Sequence, residues 1–564
     1  MIVRRLVPEA HRALLATGIP PVLARVYAAR GIVDAAELDC SLRALPGFDG
    51  LANINAAAGR LVQAIERQEK IVVVADYDAD GATACAVAVR GLRAMGAHVD
   101  FLVPNRFEFG YGLTPEIVAV ATARAPRLLV TVDNGIASVE GVRAAAAAGI
   151  DVLITDHHLP GDQLPRPAII VNPNQPGCAF PSKHVAGVGV MFYVLCALRA
   201  YLRERSAFVT RREPNLGALL DLVALGTVAD VVRLDHVNRI LVEQGLARIR
   251  SGRAQPGIAA LFAVAGRDPQ RATASDLGFV AGPRLNAAGR LADMSLGIRC
   301  LLADSEEEAQ PMARELDRLN RERRDIEATM QEEALAEVEA AAALEDATAY
   351  TLCAYRPEWH QGVIGIVASR LKDRYHRPVI VFARAGEHEL KGSGRSIAGL
   401  HLRDALDLVA KRAPGAIARF GGHAFAAGLS IDARELPRFK AAFEAVARET
   451  LSDHDLRRTH ESDGALARGE LTLALGEALR ARAWGQGFPP PAFDDVFEVR
   501  EQRQVGDAHA RLTLARGSER FHGIAFRTPA QMPPRIHALF RPEVHTFQGL
   551  SNLELVVDYW SPAS

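Results

Sequence analysis

Residues 71–81 read IVVVADYDADG, and this stretch decides the fold. Its first half is an apolar, β-branched run of the kind that forms a buried strand of a parallel sheet. Its second half places Asp76, Asp78 and Asp80 at alternate positions ahead of a glycine. The same spacing opens a calcium-binding EF-hand loop, but that loop needs a glutamate at its twelfth position, where this chain has Val87. The three carboxylates therefore belong to a different kind of site.

The stretch begins a regular alternation of strand and helix patterns. β-Branched apolar runs alternate with alanine-rich segments, some of which have helix-start or helix-stop residues at their ends. The predicted strands cover 71–78, 98–104, 127–133 and 151–156, and the predicted helices cover 82–96, 114–125 and 139–149. This order predicts a parallel α/β sheet with right-handed crossover connections.

Acidic and histidine residues lie at the ends of these predicted strands. The sequences TVDNG and TDHH, at the ends of the third and fourth strands, contain Asp133, Asp156, His157 and His158. Open parallel sheets bind ligands at the carboxyl ends of their strands, so these side chains are expected in one crevice with the first three aspartates. Two unit charges about 4 Å apart repel by roughly 4 kcal/mol at an effective dielectric near 20, so the acids predict bound cations. Carboxylate and imidazole ligands favour Mn²⁺ or Mg²⁺, and a pair of such ions supports phosphoryl transfer.

A further acid, Asp230, lies in the otherwise apolar sequence LGTVADVV. A charge buried there needs a partner, and a metal ion is one candidate. Pairing with Arg233 or His236 is the alternative at this position. In the same way, an acid at a strand end often caps the next helix, and a single histidine often forms only a surface hydrogen bond. The combination of three strand-end motifs in one sheet favours the metal site.

The composition describes an ordinary globular chain of several domains. Its 564 residues are 49% hydrophobic and 24% charged, and 66 Lys and Arg nearly balance 67 Asp and Glu. Any surface that binds nucleic acid must therefore be locally basic. The six cysteines form no C-x-x-C pair, which fits a reducing compartment. Because the sequence contains no long apolar run and no signal-peptide pattern, we expect a cytoplasmic protein without a membrane span.

The remaining sequence predicts three more parts. A charged stretch from Ser305, with Glu308 at capping-box spacing, predicts one long helix that links two domains. A second α/β unit follows with strands near 350–355 and 377–383, and short strands between 496 and 560 predict a small β-barrel. The predicted fold class is α/β: a parallel-sheet domain joined by the long helix to a second α/β domain, plus a C-terminal barrel. The predicted segments are a helical lead-in at 1–50, the sheet domain at 51–304, the long helix at 305–346, the second α/β domain at 347–452 and the barrel domain at 453–564.

Four of these motifs resemble, in order, those of the DHH phosphoesterase superfamily. They are DYDADG at 76–81, TVDNG at 131–135, TDHH at 155–158 and LGTVADVV at 225–232. Later motifs are similar to those of the RecJ family of single-stranded-DNA-specific 5′→3′ exonucleases within that superfamily. They are GPRLNAAGRL at 282–291, WHQGVIGIVASRL at 359–371, GSGRS at 392–396 and GGHAFAAG at 421–428. The resemblance implies a DHH domain, a DHH-associated domain and a C-terminal OB-fold-like DNA-binding domain.

The metal-ligand positions of the superfamily correspond to five residues of this chain. By resemblance these are Asp78, Asp80, Asp133, His157 and Asp230. Asp133 is implied to bridge two ions, and Asp76 occupies a place where RecJ-type sequences have an additional acid, close to the reaction. Asp156 is implied to orient a histidine by accepting its ring N–H, and His158 is implied to face the scissile phosphate. Other branches have a histidine where this chain has Val74, so the exact ligand set stays open.

Three later motifs supply candidate substrate-binding residues. By resemblance they are Arg284, Asn286 and Arg290, then Ser393, Arg395 and Ser396, and finally His423. Arginines beside glycines suit phosphate binding, and the alternative for the first group is a structural arginine network. The GSGRS motif predicts a backbone nest for an anion, and the resemblance implies that Arg395 and Ser396 bind the 5′-terminal phosphate. His423 is expected at a substrate phosphate, with a helix cap as its alternative.

Aromatic residues leave two interpretations open. In the predicted barrel, Phe521, Phe526, Phe540 and Tyr559 are candidates for stacking on bases, but a small barrel also needs aromatic side chains in its core. Trp359 in the WHQGVIGIVASRL motif has the same two alternatives. Sequence patterns do not separate them, because a stacking ring and a core ring are the same residue types.

The resemblance implies an exonuclease that uses two Mn²⁺ or Mg²⁺ ions and degrades single-stranded DNA 5′→3′ to 5′-mononucleotides. It further implies a role in DNA recombination and repair, a monomer, and contacts with single-strand-binding protein and a RecQ-type helicase. One alternative is a DHH-type phosphodiesterase of short oligonucleotides or cyclic dinucleotides, and another is a non-catalytic single-strand-binding scaffold. The β-barrel counts against the first alternative, and the complete set of acids counts against the second.

Overall fold

The computed structural model describes residues 1–104, 112–209, 211–344, 349–506, 509–526, 528, 531–547 and 550–563. The chain divides into two compact units. The first unit combines residues 2–317 with 461–564, and the second contains Met1 and residues 318–460. In sequence, the second unit is therefore inserted between two parts of the first. Among the described residues, no helix combines the length and the hydrophobicity needed to cross a membrane.

The first part of the chain contains a short strand, five parallel strands and a series of helices. Its strands are β1 (Ile2–Arg4), β2 (Lys70–Ala75), β3 (His98–Leu102), β4 (Leu128–Val132), β5 (Asp151–Thr155) and β6 (Ile169–Val171). Its α-helices are α1 (Ala10–Ala16), α2 (Pro21–Ala28), α3 (Ile54–Glu66), α4 (Ala79–Ala94), α5 (Pro115–Thr122), α6 (Val139–Ala147), α7 (Gly187–Glu204), α8 (Leu220–Ala229), α9 (His236–Arg250), α10 (Pro256–Val264), α11 (Ala274–Asp276), α12 (Gly282–Leu291) and α13 (Ser295–Leu302). The predicted helical lead-in contains α1 and α2, but it begins with β1, which pairs with a strand far along the chain.

The parallel sheet has the strand order β3-β2-β4-β5-β6, and every neighbouring pair is parallel. The predicted parallel sheet is confirmed, and β6 is a strand that the sequence patterns did not indicate. β2 reads KIVVVA and is buried from its second residue onward, as a central strand covered by helices requires. β2 has β3 on one side and β4 on the other, so the strands that follow it in the chain lie on both sides of it in the sheet. This switch point places the carboxyl ends of β2, β4 and β5 side by side.

The long helix predicted from the charged stretch is confirmed as α14 (Glu306–Leu344), which has 39 residues. At 1.5 Å per residue a helix of this size is roughly 60 Å long. The expected cap is also present, because Ser305 Oγ accepts a hydrogen bond from the Glu308 N–H at 3.2 Å. The division between the two units falls within α14, after Asp317.

The second unit contains a mixed five-stranded sheet, which confirms the second α/β domain. Its elements are β7 (Leu352–Tyr355), α15 (Ile364–Tyr375), β8 (Val379–Arg384), β9 (Glu389–Arg395), α16 (Leu402–Arg412), β10 (Arg419–Gly422), β11 (Ala426–Asp432) and α17 (Leu436–Thr450). The strand order is β10-β11-β9-β8-β7, and β7 and β8 are its parallel pair. Phe382 of β8 and two phenylalanines of α17, Phe439 and Phe443, lie in the core of this unit.

The GSGRS motif forms part of a strand and not the expected anion nest. Its residues 392–395 lie in β9, where each of them pairs with both β8 and β11. A Cβ on Gly392 would come within 2.6 Å of the side chains of Phe382 and Leu429, and a Cβ on Gly394 within 2.8 Å of Leu402. The glycines are therefore required by close packing against the core. A nest would instead need successive N–H groups turned toward one point, which a fully paired strand does not provide.

The C-terminal part of the chain forms a closed five-stranded barrel, as predicted. Its elements are β12 (His460–Ser462), which pairs with β1, then α18 (Leu473–Ala481), β13 (Phe493–Val505), β14 (His509–Arg516), β15 (Glu519–Ala525), β16 (Arg535–Phe547) and β17 (Leu550–Pro562). The barrel order is β13-β14-β15-β17-β16, and β15 and β17 are parallel.

The structure decides between the two interpretations for several aromatic residues. Phe540 is fully buried and packs edge-on against Phe497 at 5.3 Å between ring centroids, so it belongs to the barrel core. Phe526 is 52% exposed and keeps a surface available for stacking. Phe521 and Tyr559 are half-buried. Trp359 in the second unit is 4% exposed, so it is a core residue and not a base-stacking one.

Polar and aromatic contacts attach the barrel region to the N-terminal helices within the first unit. Arg30 donates to the two carboxylate oxygens of Asp463 at 2.8 and 2.9 Å, and the two side chains are 1% and 2% exposed. Nearby, the Trp484 ring stacks with the rings of Tyr27 and Phe488. A buried ion pair is favourable only when its hydrogen bonds are complete. The Arg30 guanidinium meets this condition, because it also donates to two backbone carbonyls.

We expect Arg30→Ala to destabilise the first unit strongly, because it leaves the Asp463 carboxylate buried without its cation. Breaking a buried pair in this way costs about 3–5 kcal/mol, which urea unfolding followed by tryptophan fluorescence would measure. Arg143→Ala is the matched control, because the pair of Arg143 with Glu140 is exposed on both sides and is worth at most about 1 kcal/mol. Equal losses in the two variants would contradict a structural role for the buried pair.

Candidate metal centre

Three aspartates follow β2 and lead into α4. Asp76 directly follows the strand, and its N–H donates to the Val132 carbonyl of neighbouring β4 at 3.3 Å. Asp78 caps α4 by accepting a hydrogen bond from the Gly81 N–H at 2.9 Å. Asp80 lies in the first helical turn and is 1% exposed. The strand predicted over 71–78 therefore ends earlier, at Ala75, and the chain turns into a helix after Asp78.

The N-terminus of α7 holds Asp80 in place. Oδ2 of Asp80 accepts a hydrogen bond from the Gly187 N–H at 2.7 Å, and Oδ1 accepts one from the Val188 N–H at 2.9 Å. The first N–H groups of a helix have no partner inside the helix, and the positive end of its dipole also favours a carboxylate there. The position of Asp80 is thus fixed by the fold itself.

Asp133 follows β4 in an unusual backbone conformation. Its φ is +63°, in the left-handed region that few residues other than glycine adopt. Strain of this kind persists where the surrounding structure enforces it, and such places are often functional sites. A Cβ on Gly187 would lie 2.6 Å from Asp133 Oδ1. The glycine at the start of α7 therefore leaves the room that Asp133 occupies.

The residues after β5 include the aspartate and two histidines of the TDHH motif. Asp156 accepts hydrogen bonds from the backbone N–H groups of Ile136, His157 and His158 at 2.9, 2.7 and 3.1 Å. Its Oδ1 also lies 2.8 Å from His158 Nδ1. A carboxylate only accepts, so His158 Nδ1 carries the proton of this hydrogen bond. Of the two histidine rings, Asp156 therefore orients the ring of His158.

His157 lies at the centre of the cluster. Its Nε2 is 3.1 Å from Asp133 Oδ1, 3.4 Å from Asp230 Oδ2 and 3.9 Å from Asp80 Oδ2. Asp230 directly follows the last residue of α8, so the end of this helix brings a fourth element to the sheet edge. The alternative partners of Asp230, Arg233 and His236, form no ion pair with it in the described part of the chain.

The donor atoms of these side chains form two neighbouring ligand sets. We call Asp80, His157 and Asp230 the first ligand set and Asp76, Asp78 and Asp133 the second ligand set, because one donor atom of each member lies within 4.8 Å of the others. Asp133 forms a further group of this kind with His157 and His158, so it lies where the two sets meet. Carboxylate oxygens suit Mg²⁺, and Mn²⁺ also accepts imidazole nitrogen.

The buried acids raise one another's pKa. At Asp80 and Asp133 burial is the main cause, repulsion from neighbouring carboxylates adds to it, and the pKa of each carboxyl is held well above its ordinary value. Burial, together with the charge of a neighbouring aspartate, raises the pKa of Asp230 to about 7. Burial, together with the adjacent histidine, lowers the pKa of His157 to about 4. Burial is the first cause of all four shifts, and repulsion between carboxylates adds to it at the three aspartates, where bound cations would offset the negative charge.

Asp156 and His158 form an ion pair at the border of the cluster. Burial opposes the charge of both side chains, but their hydrogen bond raises the pKa of His158 to about 9 and lowers that of Asp156. The side chain of His158 is 37% exposed, whereas that of Asp156 is 1% exposed. His158 is therefore the histidine of the motif that can reach a bound molecule.

Two buried atoms at the centre fit a cation. His157 Nε2 and Asp230 Oδ2 make no hydrogen bond to any residue that the structure describes. Buried polar atoms nearly always have a partner, and an exception needs an explanation. Both atoms are good ligands for a divalent ion and both belong to the first ligand set. The donor types and these two atoms together fit Mn²⁺ or Mg²⁺.

Two asparagines after β6 hold the backbone of the TDHH motif, and sequence reasoning missed them. Asn172 Nδ2 donates to the His158 carbonyl at 2.9 Å, and Asn174 Nδ2 donates to the His157 carbonyl at 2.6 Å. The available signal was the run VNPNQPG at 171–177, whose asparagines come directly after a strand. A loop at this edge of a parallel sheet is where ligand-binding residues are expected.

The GPRLNAAGRL motif forms α12, which packs against the DYDADG loop. Asn286 Oδ1 accepts a hydrogen bond from the Ala79 N–H at 2.9 Å. A Cβ on Gly289 would lie only 1.9 Å from the Tyr77 carbonyl oxygen, so the helix and the loop approach each other as closely as a glycine allows. In this structure Asn286 therefore supports the loop between the metal-ligand candidates, although it was predicted to bind substrate.

The arginines of the same motif have different environments. Arg284 is 7% exposed and pairs with Asp317 of α14 at 2.8 Å. It also donates to the Val280 carbonyl at 2.7 Å. This arrangement matches the structural arginine network that was the alternative for Arg284. Arg290 lies at the end of α12 and is half-buried.

Arg395 of the second unit is a half-buried cation that lacks a carboxylate partner among the described residues. Its Nη1 donates to Ser393 Oγ at 3.2 Å and to the Gly394 carbonyl at 2.8 Å. Burial lowers the pKa of the guanidinium. The start of α15 is close, because a Cβ on Gly365 would lie 3.0 Å from Ser393 Oγ and 3.1 Å from Arg395 Nη2. A half-buried guanidinium, a hydroxyl and a helix start together favour an anion.

Ser396 and His423 differ in their access to solvent. Ser396 is 3% exposed and donates its hydroxyl to the Leu400 carbonyl at 2.8 Å, so it supports the chain after β9. His423 is exposed in the turn between β10 and β11, and its N–H donates to the Ala426 carbonyl at 2.8 Å. The helix-cap alternative for His423 is therefore excluded, because no helix begins there.

Three family models match the chain. The model of the DHH family, N-terminal domain, matches residues 70–227, that of the DHHA1 domain matches 347–449, and that of the RecJ OB domain matches 462–559. These ranges contain the parallel sheet, the mixed sheet of the second unit and the closed barrel. The fold and the acid cluster define a DHH-family phosphoesterase.

Individual relatives narrow the class. The single-stranded-DNA-specific exonuclease RecJ of Dickeya dadantii (strain 3937) is 50% identical over 559 residues, which are 97% of this chain and 97% of that protein. The structure of RecJ from Thermus thermophilus in complex with Mn²⁺ has a TM-score of 0.83 and 32% identity, covering 100% of this chain and 79% of that one. The structure of the Thermus protein in complex with Mg²⁺ has a TM-score of 0.77 and 30% identity, covering 100% of this chain and 78% of that one. This chain belongs to the RecJ family.

We expect Gly187→Ala to destabilise the first unit, because its Cβ would lie 2.6 Å from Asp133 Oδ1. Overpacking of this kind costs about 1–3 kcal/mol, which thermal and urea unfolding would measure. Gly59→Ala in α3 is the matched control, since nothing lies within 4 Å of a Cβ there. The better helix propensity of alanine should stabilise that variant by about 0.5–1 kcal/mol. A Gly187→Ala variant as stable as the wild type would refute the close contact.

Proposed function

We propose that this chain is a metal-dependent exonuclease that degrades single-stranded DNA 5′→3′ and releases 5′-mononucleotides in DNA recombination and repair. The observation that carries the proposal is the meeting of the two ligand sets at Asp133, beside His157, at the carboxyl edge of the parallel sheet. Membership of the RecJ family supports the substrate and the polarity. The Thermus complexes with Mn²⁺ and Mg²⁺ support the same ions for this chain.

The residues of the metal centre have different roles in phosphodiester hydrolysis. Divalent cations, when bound, activate water and offset charge on the phosphate oxygens. Asp133 joins the two ligand sets, and Asp80 keeps the first set rigid because the α7 N-terminus fixes it. Asp156 accepts the hydrogen bond of His158 Nδ1 and so orients the ring that we assign to an oxygen of the scissile phosphate. The fold thus sets the positions of these groups before substrate arrives.

In the first unit we assign the substrate contacts to residues that are exposed or half-exposed. Arg290 is the member of GPRLNAAGRL that we assign to a substrate phosphate, since it ends α12 beside the metal centre. Asn286 and Arg284 act indirectly, through the DYDADG loop and through the pair with Asp317. Asp76 of the second ligand set is assigned to the metal side of the reaction, together with Asp78.

The 5′-terminal phosphate is assigned to Arg395 and Ser393, next to the start of α15. Phosphates favour helix N-termini and guanidinium groups, and this guanidinium has no carboxylate partner in the described residues. Ser396 stabilises the chain at this point through its hydrogen bond to the Leu400 carbonyl. His423, exposed in the β10–β11 turn, is assigned to a phosphate further along the strand.

Family membership supports further features of the whole protein. We assign the segments 51–304, 347–452 and 453–564 to the DHH, DHH-associated and DNA-binding domains, with a lead-in at 1–50 and the linking helix at 305–346. We also infer a cytoplasmic monomer that works with single-strand-binding protein and a RecQ-type helicase. Co-purification with each of these partners and light scattering would test the inference directly.

We expect a long single strand labelled at its 5′ end to release labelled mononucleotide first in the presence of Mn²⁺, and a 3′ label to appear last. Chelation of the metal stops the reaction, because the buried acids then repel both each other and the phosphate. Asp133→Asn should lower the rate by more than about 100-fold, beyond the 10–100-fold typical of residues that only support a metal ligand.

Asp151→Asn is the matched control for this experiment, since Asp151 lies at the exposed start of β5 and pairs with Arg60. It should retain the wild-type rate. Release from the 3′ label first would overturn the polarity. Intact long strands with rapid cleavage of dinucleotides would favour the small-substrate alternative, and binding without any cleavage would favour the scaffold.

We expect Arg395→Ala to remove the preference for a 5′-phosphorylated strand over one with a 5′ hydroxyl. A charge-assisted hydrogen bond is worth about 1.5–3 kcal/mol, so kcat/KM for the phosphorylated strand should fall by about tenfold or more. The strand with a 5′ hydroxyl should be cut at nearly the same rate by both proteins. Arg384→Ala, on the exposed last residue of β8, is the control. An equal loss on both substrates would argue against recognition of the phosphate.

A further inference from the structure

Three exposed apolar side chains lie next to residues of the metal centre. We call Leu159, Val231 and Phe279 the apolar rim, and they are 62%, 62% and 75% exposed. Leu159 directly follows His158, and Val231 directly follows Asp230. A single exposed apolar residue needs no explanation, but several beside one site mark a binding surface.

The backbone around Phe279 is fixed beside Asp230. Phe279 is the middle residue of a π-helical turn that directly precedes α12, and turns of this type are frequent at functional sites. A Cβ on Gly278 would lie 3.2 Å from a valine Cγ1 in the last turn of α8, and a Cβ on Gly282 would lie 3.0 Å from Ala229 Cβ. That helical turn ends at Asp230. The residues on both sides of Phe279 are thus anchored, while its ring lies in solvent.

The helix that follows the π-helical turn reaches the other ligand set. Asn286 of α12 accepts the hydrogen bond from Ala79, between Asp78 and Asp80, and Gly289 rests on the Tyr77 carbonyl. One continuous segment, from the π-helical turn to the end of α12, therefore borders the centre from the end of α8 to the DYDADG loop. Phe279 is the large apolar side chain that this segment exposes.

Packing does not account for Phe279. Burial of a phenylalanine side chain contributes roughly 1.5–3 kcal/mol, and a ring that is three-quarters exposed forgoes most of it. A flat apolar ring suits a nucleobase, because every base has a π-face and stacking does not depend on sequence. An exonuclease that removes nucleotides in any sequence needs a contact of this kind near the phosphate that it cleaves.

We propose that Phe279 stacks on a nucleobase of the single-stranded substrate next to the scissile phosphate, and that Leu159 and Val231 contact the same nucleotide. The proposal rests on the exonuclease function described above. It gives the strand a sequence-independent hold beside the metal centre, in addition to the phosphate contacts. The stacked base fixes which phosphate lies against the two ligand sets.

The test uses the full chain with Mn²⁺ and 5′-phosphorylated oligothymidylates, either complete or with one abasic tetrahydrofuran nucleotide at each of the first few positions. Phe279→Ala should lower kcat/KM on the complete strand by about tenfold, the size expected from the loss of one base–aromatic stack. Phe279→Trp should retain the rate. At the position whose base stacks on Phe279, the abasic nucleotide should lower kcat/KM of the wild type by a similar factor. It should lower kcat/KM of Phe279→Ala no further.

Val120→Ala is the matched control, because Val120 is an exposed apolar residue of α5, 42% exposed. It should behave as the wild type on every strand. If the wild type is active and Phe279→Ala is unaffected, the stacking role alone is overturned. The same holds if Phe279→Ala shows the same additional loss at every abasic position. A wild type that degrades no single strand would refute the exonuclease function and the stacking role together.

Discussion

Repulsion between buried carboxylates is the constraint around which the first unit is built. Asp80 and Asp133 are each 1% exposed, and both lie close to other acids. Part of the repulsion is offset by the fold, since two N–H groups of α7 bind Asp80 and the imidazole of His158 binds Asp156. The remainder persists in the raised pKa values of the ligand sets. Divalent cations bound by the two ligand sets would offset this remainder.

The positions of the acids require particular neighbours. Asp133 adopts a left-handed backbone conformation, and the start of α7 must carry a glycine to leave space beside it. α12 must likewise carry a glycine where it meets the Tyr77 carbonyl. These small residues do no chemistry, but a side chain at either place would push a ligand-bearing loop out of position. The motifs of the sequence therefore combine ligands with the residues that make room for them.

Local patterns in the sequence were sufficient for the sheet, the long helix, the barrel and the set of acids. The apolar run before Asp76 and the strand-end positions of Asp133 and Asp156 can be recognised within short segments of sequence. These segments form strands in the structure as well. The surroundings of Arg284 and Phe540 were not accessible in this way. Arg284 is neutralised by Asp317, 33 residues further on, and Phe540 packs against Phe497 of β13, a neighbouring strand from a distant part of the sequence.

The GSGRS motif and the asparagines after β6 show the same limit. Glycines next to an arginine are typical of phosphate-binding loops, but here core side chains that pack against β9 require the glycines. Asn172 and Asn174 are uncharged and belong to neither ligand set, so their residue type alone gave no reason to select them. Their role depends on the parallel alignment of β5 and β6, which only the assembled sheet provides.

The pairing of Arg30 with Asp463 has a consequence for the order in which the molecule is made. The two residues are separated by 433 positions. At 5–20 residues per second, a ribosome needs roughly 20–90 seconds to synthesise the partner of an arginine that has already emerged. During this interval the N-terminal helices present an unpaired guanidinium and the face of Tyr27, while the inserted second unit is completed. During synthesis the arginine and this ring are therefore made long before the residues that bury them in the folded chain.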